Sequence, residues 1–305
     1  MPPIYTGMFR FKVEQKRFRI GDVEVGGEPG RRPICLIGTI FYSKERLHLD
    51  EDKGEFDKEE AERLIGLQEE FSDKTGNPCM LDVVGSTAES LVRHLEFAAA
   101  VTDMPLLVDG VTAEVRIEAV KRLKELGLKE PLVYNSLTPD FKPEELTALK
   151  ISGIDAAVIL TFSSKAFTSK GRVDAAKKTL EMVGDVVKRP LVDTAVLDIP
   201  TLGSASKAMM EVKNELGLPA GCGAHNAVET WRGLKSKMGI QARDPSLASA
   251  SVIAACFGAD FILYGPIEHA PKVFPAVAMV DAALGYLSFE DGCRPKPPHP
   301  LFKIA

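Results

Sequence analysis

Residues 105–135 read PLLVDGVTAEVRIEAVKRLKELGLKEPLVYN, and this stretch sets the architecture. It opens with a short apolar run, Pro105–Asp109, that ends in an acid. An amphipathic helical segment follows over Ala113–Glu125, then a second apolar run, Pro131–Asn135, that ends in an amide. Connections long enough to contain a helix join parallel strands. The same unit recurs outward in both directions. Further apolar runs lie at Ile34–Tyr42, Cys79–Val84, Ala156–Phe162, Pro190–Val196, Ala220–Ala224 and Asp260–Tyr264. Helical patterns separate them at Glu59–Phe71, Ala88–Val101, Lys142–Ile151, Val173–Val187 and Ser204–Leu216. Eight such units are the size and count of a (β/α)8 TIM barrel. A doubly wound open sheet is the rival, and it needs a topological switch point that no feature of the sequence marks.

The expectation is one α/β barrel domain over residues 1–305, with distinctive ends. Residues 8–25 alternate apolar and charged side chains through Phe9, Phe11, Val13, Phe18, Ile20, Val23 and Val25, which predicts an N-terminal β-hairpin. The phenylalanines read as packing against the barrel base. Residues 293–305 are proline-rich and predict a surface tail without regular structure.

Apolar residues make up 45% of the 305 and charged residues 27%, with a net charge of −5. That balance argues against nucleic acid or an anionic membrane as the main partner. The five cysteines are odd in number, widely spread and without a C-x-x-C pair, so neither a disulfide framework nor a structural zinc site is expected. The expected location is the reducing cytoplasm. The first ten residues carry no signal-peptide pattern, and no uninterrupted apolar run approaches bilayer-spanning length.

Barrel sites lie at the C-terminal strand ends. Five of the eight runs end in Asp or Asn: Asp82, Asp109, Asn135, Asp193 and, after Ala224-His225, Asn226. Capping and turn formation account for such residues singly. Five at one mouth point to a ligand. The ring has acceptors and amides and no positive charge, so it repels phosphate. Magnesium on Asp82, Asp109 and Asp193 is conceivable, but a flat neutral heterocycle with an amino group beside ring N–H donors fits the set better, because a carboxylate accepts two parallel hydrogen bonds from such an edge. Gly221-Cys222-Gly223 is only half a dinucleotide loop. Lys165 could form a Schiff base but sits in a polar loop. His225 and His269 lie near strand ends as potential proton carriers, His269 equally as a surface-loop residue.

The runs at 77–86 (NPCMLDVVGS), 133–137 (VYNSL), 191–198 (LVDTAVLD) and 220–227 (AGCGAHNA) resemble the H-subunit family of tetrahydromethanopterin S-methyltransferase, whose bacterial relatives use tetrahydrofolate. The resemblance runs from about Phe9 to Tyr286. More distantly, the order of polar strand ends is similar to the pterin-binding barrels of corrinoid methyltransferases, methionine synthase and dihydropteroate synthase. The resemblance implies a methyl-tetrahydropterin:corrinoid protein methyltransferase. In it Asp109 and Asp193 grip the pyrimidine edge, Asn135 bonds the same ring system, and Asn226 lies at the methyl-bearing nitrogen. Asp82 becomes a pterin contact or a support behind one, and Gly221 belongs to the same pterin-binding set. Asn226 and Asp193 are the implied catalytic residues. Asp198 matches less surely and could cap the next helix.

The same resemblance implies a corrinoid (cobalamin) supplied by a partner protein, since no histidine here has an aspartate two residues before it, as the corrinoid-carrying D-x-H-x-x-G motif requires. No bound metal of its own and no direct membrane insertion are implied; a homodimer is possible. Two other readings stay open: a non-catalytic subunit that presents pterin within a larger complex, and an aldol-type barrel using Lys165.

Overall fold

A computed structural model describes residues 9–128, 131–162 and 167–305. Residues 1–8 and Lys165 lie outside them. The elements, in chain order, are β1 (Arg17–Ile20), β2 (Val23–Gly26), β3 (Cys35–Ile40), β4 (His48–Asp50), β5 (Glu55–Phe56), α1 (Lys58–Thr75), β6 (Cys79–Gly85), α2 (Ala88–Val101), β7 (Leu106–Gly110), α3 (Ala113–Leu126), β8 (Leu132–Leu137) and α4 (Pro143–Ser152). Then come β9 (Ala156–Leu160), α5 (Ser169–Val183), β10 (Arg189–Asp193), α6 (Ile199–Leu216), β11 (Ala220–Cys222), α7 (Asn226–Glu229), α8 (Arg243–Cys256), β12 (Phe261–Pro266), α9 (Ala270–Glu290) and α10 (Pro300–Lys303). Strands β3, β6, β7, β8, β9, β10, β11 and β12 close in that order into a parallel barrel. Each is one of the eight apolar runs.

Two apolar layers hold it together. Alternate residues of the strands point inward, among them Ile37, Met80, Leu107, Val133, Val158, Leu191 and Phe261, and form the barrel's own core. The residues between them point outward against the helices. The β1–β2 hairpin closes the lower end by inserting Ile20 and Val25, both essentially without solvent exposure. Regular hairpin pairing covers only Arg17–Gly26. Phe9 and Phe11 precede it and stack on each other at 6.1 Å, with the Lys213 ammonium 5.5 Å from the Phe11 ring.

The C-terminal tail differs from the expectation. His299 is fully buried, accepts the Leu301 N–H on Nδ1 at 3.1 Å and starts the four-residue helix α10, which packs on α9. Proline at the first helical position suits that turn rather than preventing it. A second correction concerns α9. With the turn before it, Ile267–Glu290 is long and apolar enough to cross a bilayer even though no unbroken apolar run is. Val273, Phe274, Val277 and Asp281 on this helix are buried, and it packs against α1, α8 and α10, the arrangement of a barrel helix.

Candidate functional site: an acidic and amide ring at the barrel mouth

Strand alternation decides which polar residues face the mouth. Two residues beyond inward-facing Ile37, Met80, Leu107, Val133 and Leu191 stand Thr39, Asp82, Asp109, Asn135 and Asp193. With a period of two they occupy the topmost inner layer. Register completes the placement: Asp82 pairs across from Thr39, Asp109 from Asn135, and Asp193 from Gly221.

The carboxylates are not equivalent. Asp82 is buried, and both its oxygens are taken: Thr39 Oγ1 donates to Oδ2 at 2.9 Å and Asn135 Nδ2 to Oδ1 at 3.0 Å. Burial raises its carboxyl to about 6, against the pull of those two hydrogen bonds. Asp82 therefore orients Asn135, whose amide oxygen accepts no hydrogen bond from a described residue. Asp109 is half-buried, and no described side chain donates to it. Burial and then the charge of Asp82 push its carboxyl well above the usual range, while the Arg116 guanidinium opposes them. Asp193 accepts the Ala195 N–H on Oδ1 at 2.7 Å, and no described residue donates to its Oδ2. Burial raises it to about 6, against that bond and the Arg172 charge.

Ala195 achieves its contact by adopting φ 55°, an uncommon conformation for a residue with a side chain. Buried Arg172 secures the loop, donating to the carbonyls of Thr194 (2.7 Å), Phe167 (2.5 Å) and Ala195 (3.2 Å). Nothing in the sequence marks Arg172, because its partners are backbone atoms supplied by the fold.

After β11 the chain turns tightly into α7. Asn226 begins that helix, and its side-chain amide makes no hydrogen bond to a described residue. A Cβ on Gly223 would stand 3.0 Å from Asn226 Nδ2, so the glycine leaves the amide room. Gly221 has a structural reason of its own: a Cβ there would lie 2.1 Å from the Phe261 carbonyl oxygen, so β11 and β12 can approach only over a glycine. Asp198 accepts the Thr201 N–H at 2.9 Å and caps α6.

The two histidines separate. His225 Nδ1 donates to the Leu263 carbonyl (3.0 Å), which leaves Nε2 as the ring's lone pair; burial lowers its pKa. His269 is buried, not a surface-loop residue: Nδ1 donates to the Pro266 carbonyl (3.1 Å), and Nε2 accepts from Arg243 (2.7 Å), which also pairs with Glu229 (2.5 Å). Among the described residues no group of three His, Cys, Asp or Glu side chains is arranged to hold a metal ion.

Around this polar floor the loops raise an apolar rim that no local sequence pattern signals. Val111, Phe162, Phe167, Leu197, Met238 and Ile240, after β7, β9, β10 and β11, are all exposed. Exposed apolar side chains clustered about a site mark contact surfaces. A separate recess of about 440 Å³ lies at the opposite end, lined by Arg19, Glu24, Arg32 and Lys303, and contains none of the ring residues.

The family model described as tetrahydromethanopterin S-methyltransferase MtrH subunit matches residues 13–296. The H subunit of the tetrahydromethanopterin S-methyltransferase of Methanopyrus kandleri is 38% identical over 305 residues, covering 93% of this chain and 95% of that protein. That of Methanothermobacter thermautotrophicus is 37% identical, covering 97% and 100%. The H subunit of the putative methyltransferase mtx of Methanosarcina barkeri is 34% identical, covering 96% and 99%. Among solved structures, dihydropteroate synthase of Yersinia pestis superposes with a TM-score of 0.59 at 16% identity, over 88% of this chain and 98% of that one, a likeness of fold.

Proposed function

The chain belongs to the tetrahydromethanopterin S-methyltransferase MtrH subunit family, and we propose on that premise that it is a methyltransferase exchanging a methyl group between a tetrahydropterin and a corrinoid on a partner protein. The observation that carries the reading is the inward layer of Asp109, Asn135 and Asp193 with Asn226 at the start of α7 beyond β11, which among the described residues has acceptors to spare and no cation in the layer. Asp109 and the free oxygen of Asp193 suit the amino and N–H donors of a pterin's pyrimidine edge, and the Asn135 oxygen suits the neighbouring ring. Asp82 acts behind Asn135, and Gly221 lets the strand beneath the ring close.

A tertiary amine leaves poorly unless its nitrogen gains a proton or a strong hydrogen bond. The amide of Asn226, without a partner among the described residues, can supply that bond as charge develops. In the reverse direction the pterin nitrogen is the nucleophile and needs positioning above all. Neither direction calls for a covalent enzyme intermediate. The corrinoid supplies the cobalt that carries the methyl group, and its source in this reading is a second protein docked on the apolar rim. The chain then works in the cytoplasm or at the edge of a larger assembly. The relatives' names favour tetrahydromethanopterin over tetrahydrofolate as the pterin.

Methyl-tetrahydromethanopterin or methyl-tetrahydrofolate, mixed with the protein and a reduced corrinoid, is expected to yield methylcobalamin by absorbance; absence of turnover with both pterins overturns the reading. Asn226→Ala is expected to lower the rate about 100-fold with affinity nearly unchanged. The relatives' designation as subunits favours one second reading, a chain that presents pterin but turns over only inside its complex. Pterin binding without activity, restored by the other components of the complex, identifies that case.

A further inference from the structure

Behind the ring, side chains from three elements meet in one buried network. Arg116, in the first turn of α3, donates from Nη1 to the Gly110 carbonyl (2.7 Å) and from Nη2 to Glu145 Oε1 (2.9 Å). The Tyr134 hydroxyl donates to the same Glu145 oxygen (2.6 Å), while Glu145 Oε2 accepts the Lys142 N–H (2.9 Å). The guanidinium lies 5.3 Å from the Tyr134 ring centroid. The side chains of Arg116 and Glu145 are only 14% and 2% exposed. Gly110 follows Asp109 and Tyr134 precedes Asn135, so the network grips the two strand ends that carry adjacent ring residues.

A purely structural tie explains this arrangement poorly. Burying an ion pair commonly costs as much as it returns, and an apolar pair of similar volume would serve packing as well. Arg116 also leaves its Nε buried without a partner, a further cost. What an apolar pair cannot supply is charge. We propose that Arg116 is a positioning residue that, anchored by Glu145 and Tyr134, fixes the ends of β7 and β8 and supplies the positive charge that balances Asp109 for pterin binding. This rests on the pterin reading of the ring.

Among the described residues the charged groups that act on Asp109 are Asp82 from β6 and Arg116 from α3. Glu145 from α4 and Tyr134 from β8 stand behind Arg116. Burial and Asp82 favour the protonated acid; Arg116 favours the carboxylate. Removing the guanidinium therefore raises the pH at which Asp109 ionises, and removing Glu145, which offsets the guanidinium, lowers it.

The test is a titration of the protein labelled with ¹³C-carboxyl aspartate, the Asp109 signal being assigned by its absence in Asp109→Asn. Arg116→Met is expected to raise the Asp109 midpoint by about one pH unit, Glu145→Gln to lower it, and Arg116→Lys to stay near wild type. The pH at which tetrahydromethanopterin affinity falls away should move with each midpoint. An unchanged midpoint in Arg116→Met, with affinity lowered equally at every pH, overturns the inference. Should Arg116→Met not fold, a Glu145→Gln midpoint that stays put or rises does the same. If wild type binds neither pterin, the proposed function fails, while the titration still decides the charge-balancing role.

Discussion

The two ends of the barrel bury acidic groups in opposite ways. At the base, Asp260 takes the buried Lys213 ammonium on both oxygens, at 2.5 and 2.6 Å, and the Ala220 N–H at 2.9 Å, while Lys213 also reaches the Gly27 carbonyl below the hairpin. Nearby, Asp281 Oδ2 accepts from the Ile34 N–H (2.9 Å) and Asn77 (2.6 Å), joining α9 to the starts of two strands. At the mouth, among the described residues, Asp109 has no donor, one oxygen of Asp193 has none, and the Asn226 side-chain amide makes no hydrogen bond. The base satisfies Asp260 from within the fold and seals Asp281 Oδ1 and Asn77 Oδ1 away without a partner among the described residues, whereas the mouth leaves acceptors where a ligand can meet them. That is the division of labour between the two faces of a barrel, stability below and chemistry above.

Breaking the base should cost stability alone. Asp260→Ala leaves the Lys213 ammonium buried with a single carbonyl partner, which is expected to lower the unfolding free energy by about 3–5 kcal/mol. Chemical denaturation measures it. Pterin affinity per folded molecule should stay within about twofold of wild type; a parallel collapse of affinity would show that the two ends are not separable.

The second prediction is a pH dependence that begins at the base. Burial raises the Asp281 carboxyl from its ordinary 3.8 to about 7, against its two hydrogen bonds. A carboxyl whose folded pKa is raised holds its proton more firmly folded than unfolded. Its contribution is complete below about pH 4 and lost as pH rises through 7, a change of roughly 4 kcal/mol. Asp82 and Asp193, each raised to about 6, add smaller losses of the same sign ending nearer pH 6. Urea midpoints for wild type and Asp281→Asn, compared from pH 4 to 8, are expected to diverge, with only wild type bearing the steeper decline.

Substitution at the mouth should do the reverse and spend affinity while sparing the fold. Asp193→Asn and Asp109→Asn each remove a charged acceptor, and each is expected to weaken pterin binding by about 10- to 100-fold by titration calorimetry. Unaltered affinity in both would remove the ring from the binding site.

Much of this contrast is legible in the sequence, and the part that is not has a common cause. All eight strands are readable because a parallel strand is apolar along its length, a local property. Six helices are readable to within about five residues at each end, while α8 and α9 match none of the named patterns; α5 begins at Ser169 rather than near Val173 because Thr168 caps it, and α6 at Ile199 rather than Ser204 because Asp198 does. The strand-end Asp and Asn residues stand out for the same local reason. The β4–β5 pair escapes notice because two strands of three and two residues carry no period. The partners escape it because they come from far along the chain: Thr39 and Asn135 on Asp82, Glu145 on Arg116, Arg243 on His269. Sequence shows which side chains are unusual, but only closure of the barrel determines which of them are answered.

Asp109 gives the finest test, because its predicted sign changes with ligand. In the free protein its charge is half-buried beside Asp82 with no donor among the described residues, so Asp109→Asn removes an unfavourable charge at little change in volume. Above the pH at which Asp109 ionises, the variant is expected to be more stable than wild type by about 1 kcal/mol. The gain should vanish near pH 4, where the acid is protonated in the folded state and increasingly so in the unfolded chain. Saturating pterin should invert the order. Ligand at 100 times its Kd stabilises wild type by about 2.7 kcal/mol, and the same concentration does far less for a variant that binds up to 100-fold more weakly. Thermal melts with and without pterin at pH 8 read both signs. A variant less stable than wild type in both states would mean that Asp109 contributes to the fold as Asp260 does, and that the mouth keeps no charge in reserve for a ligand.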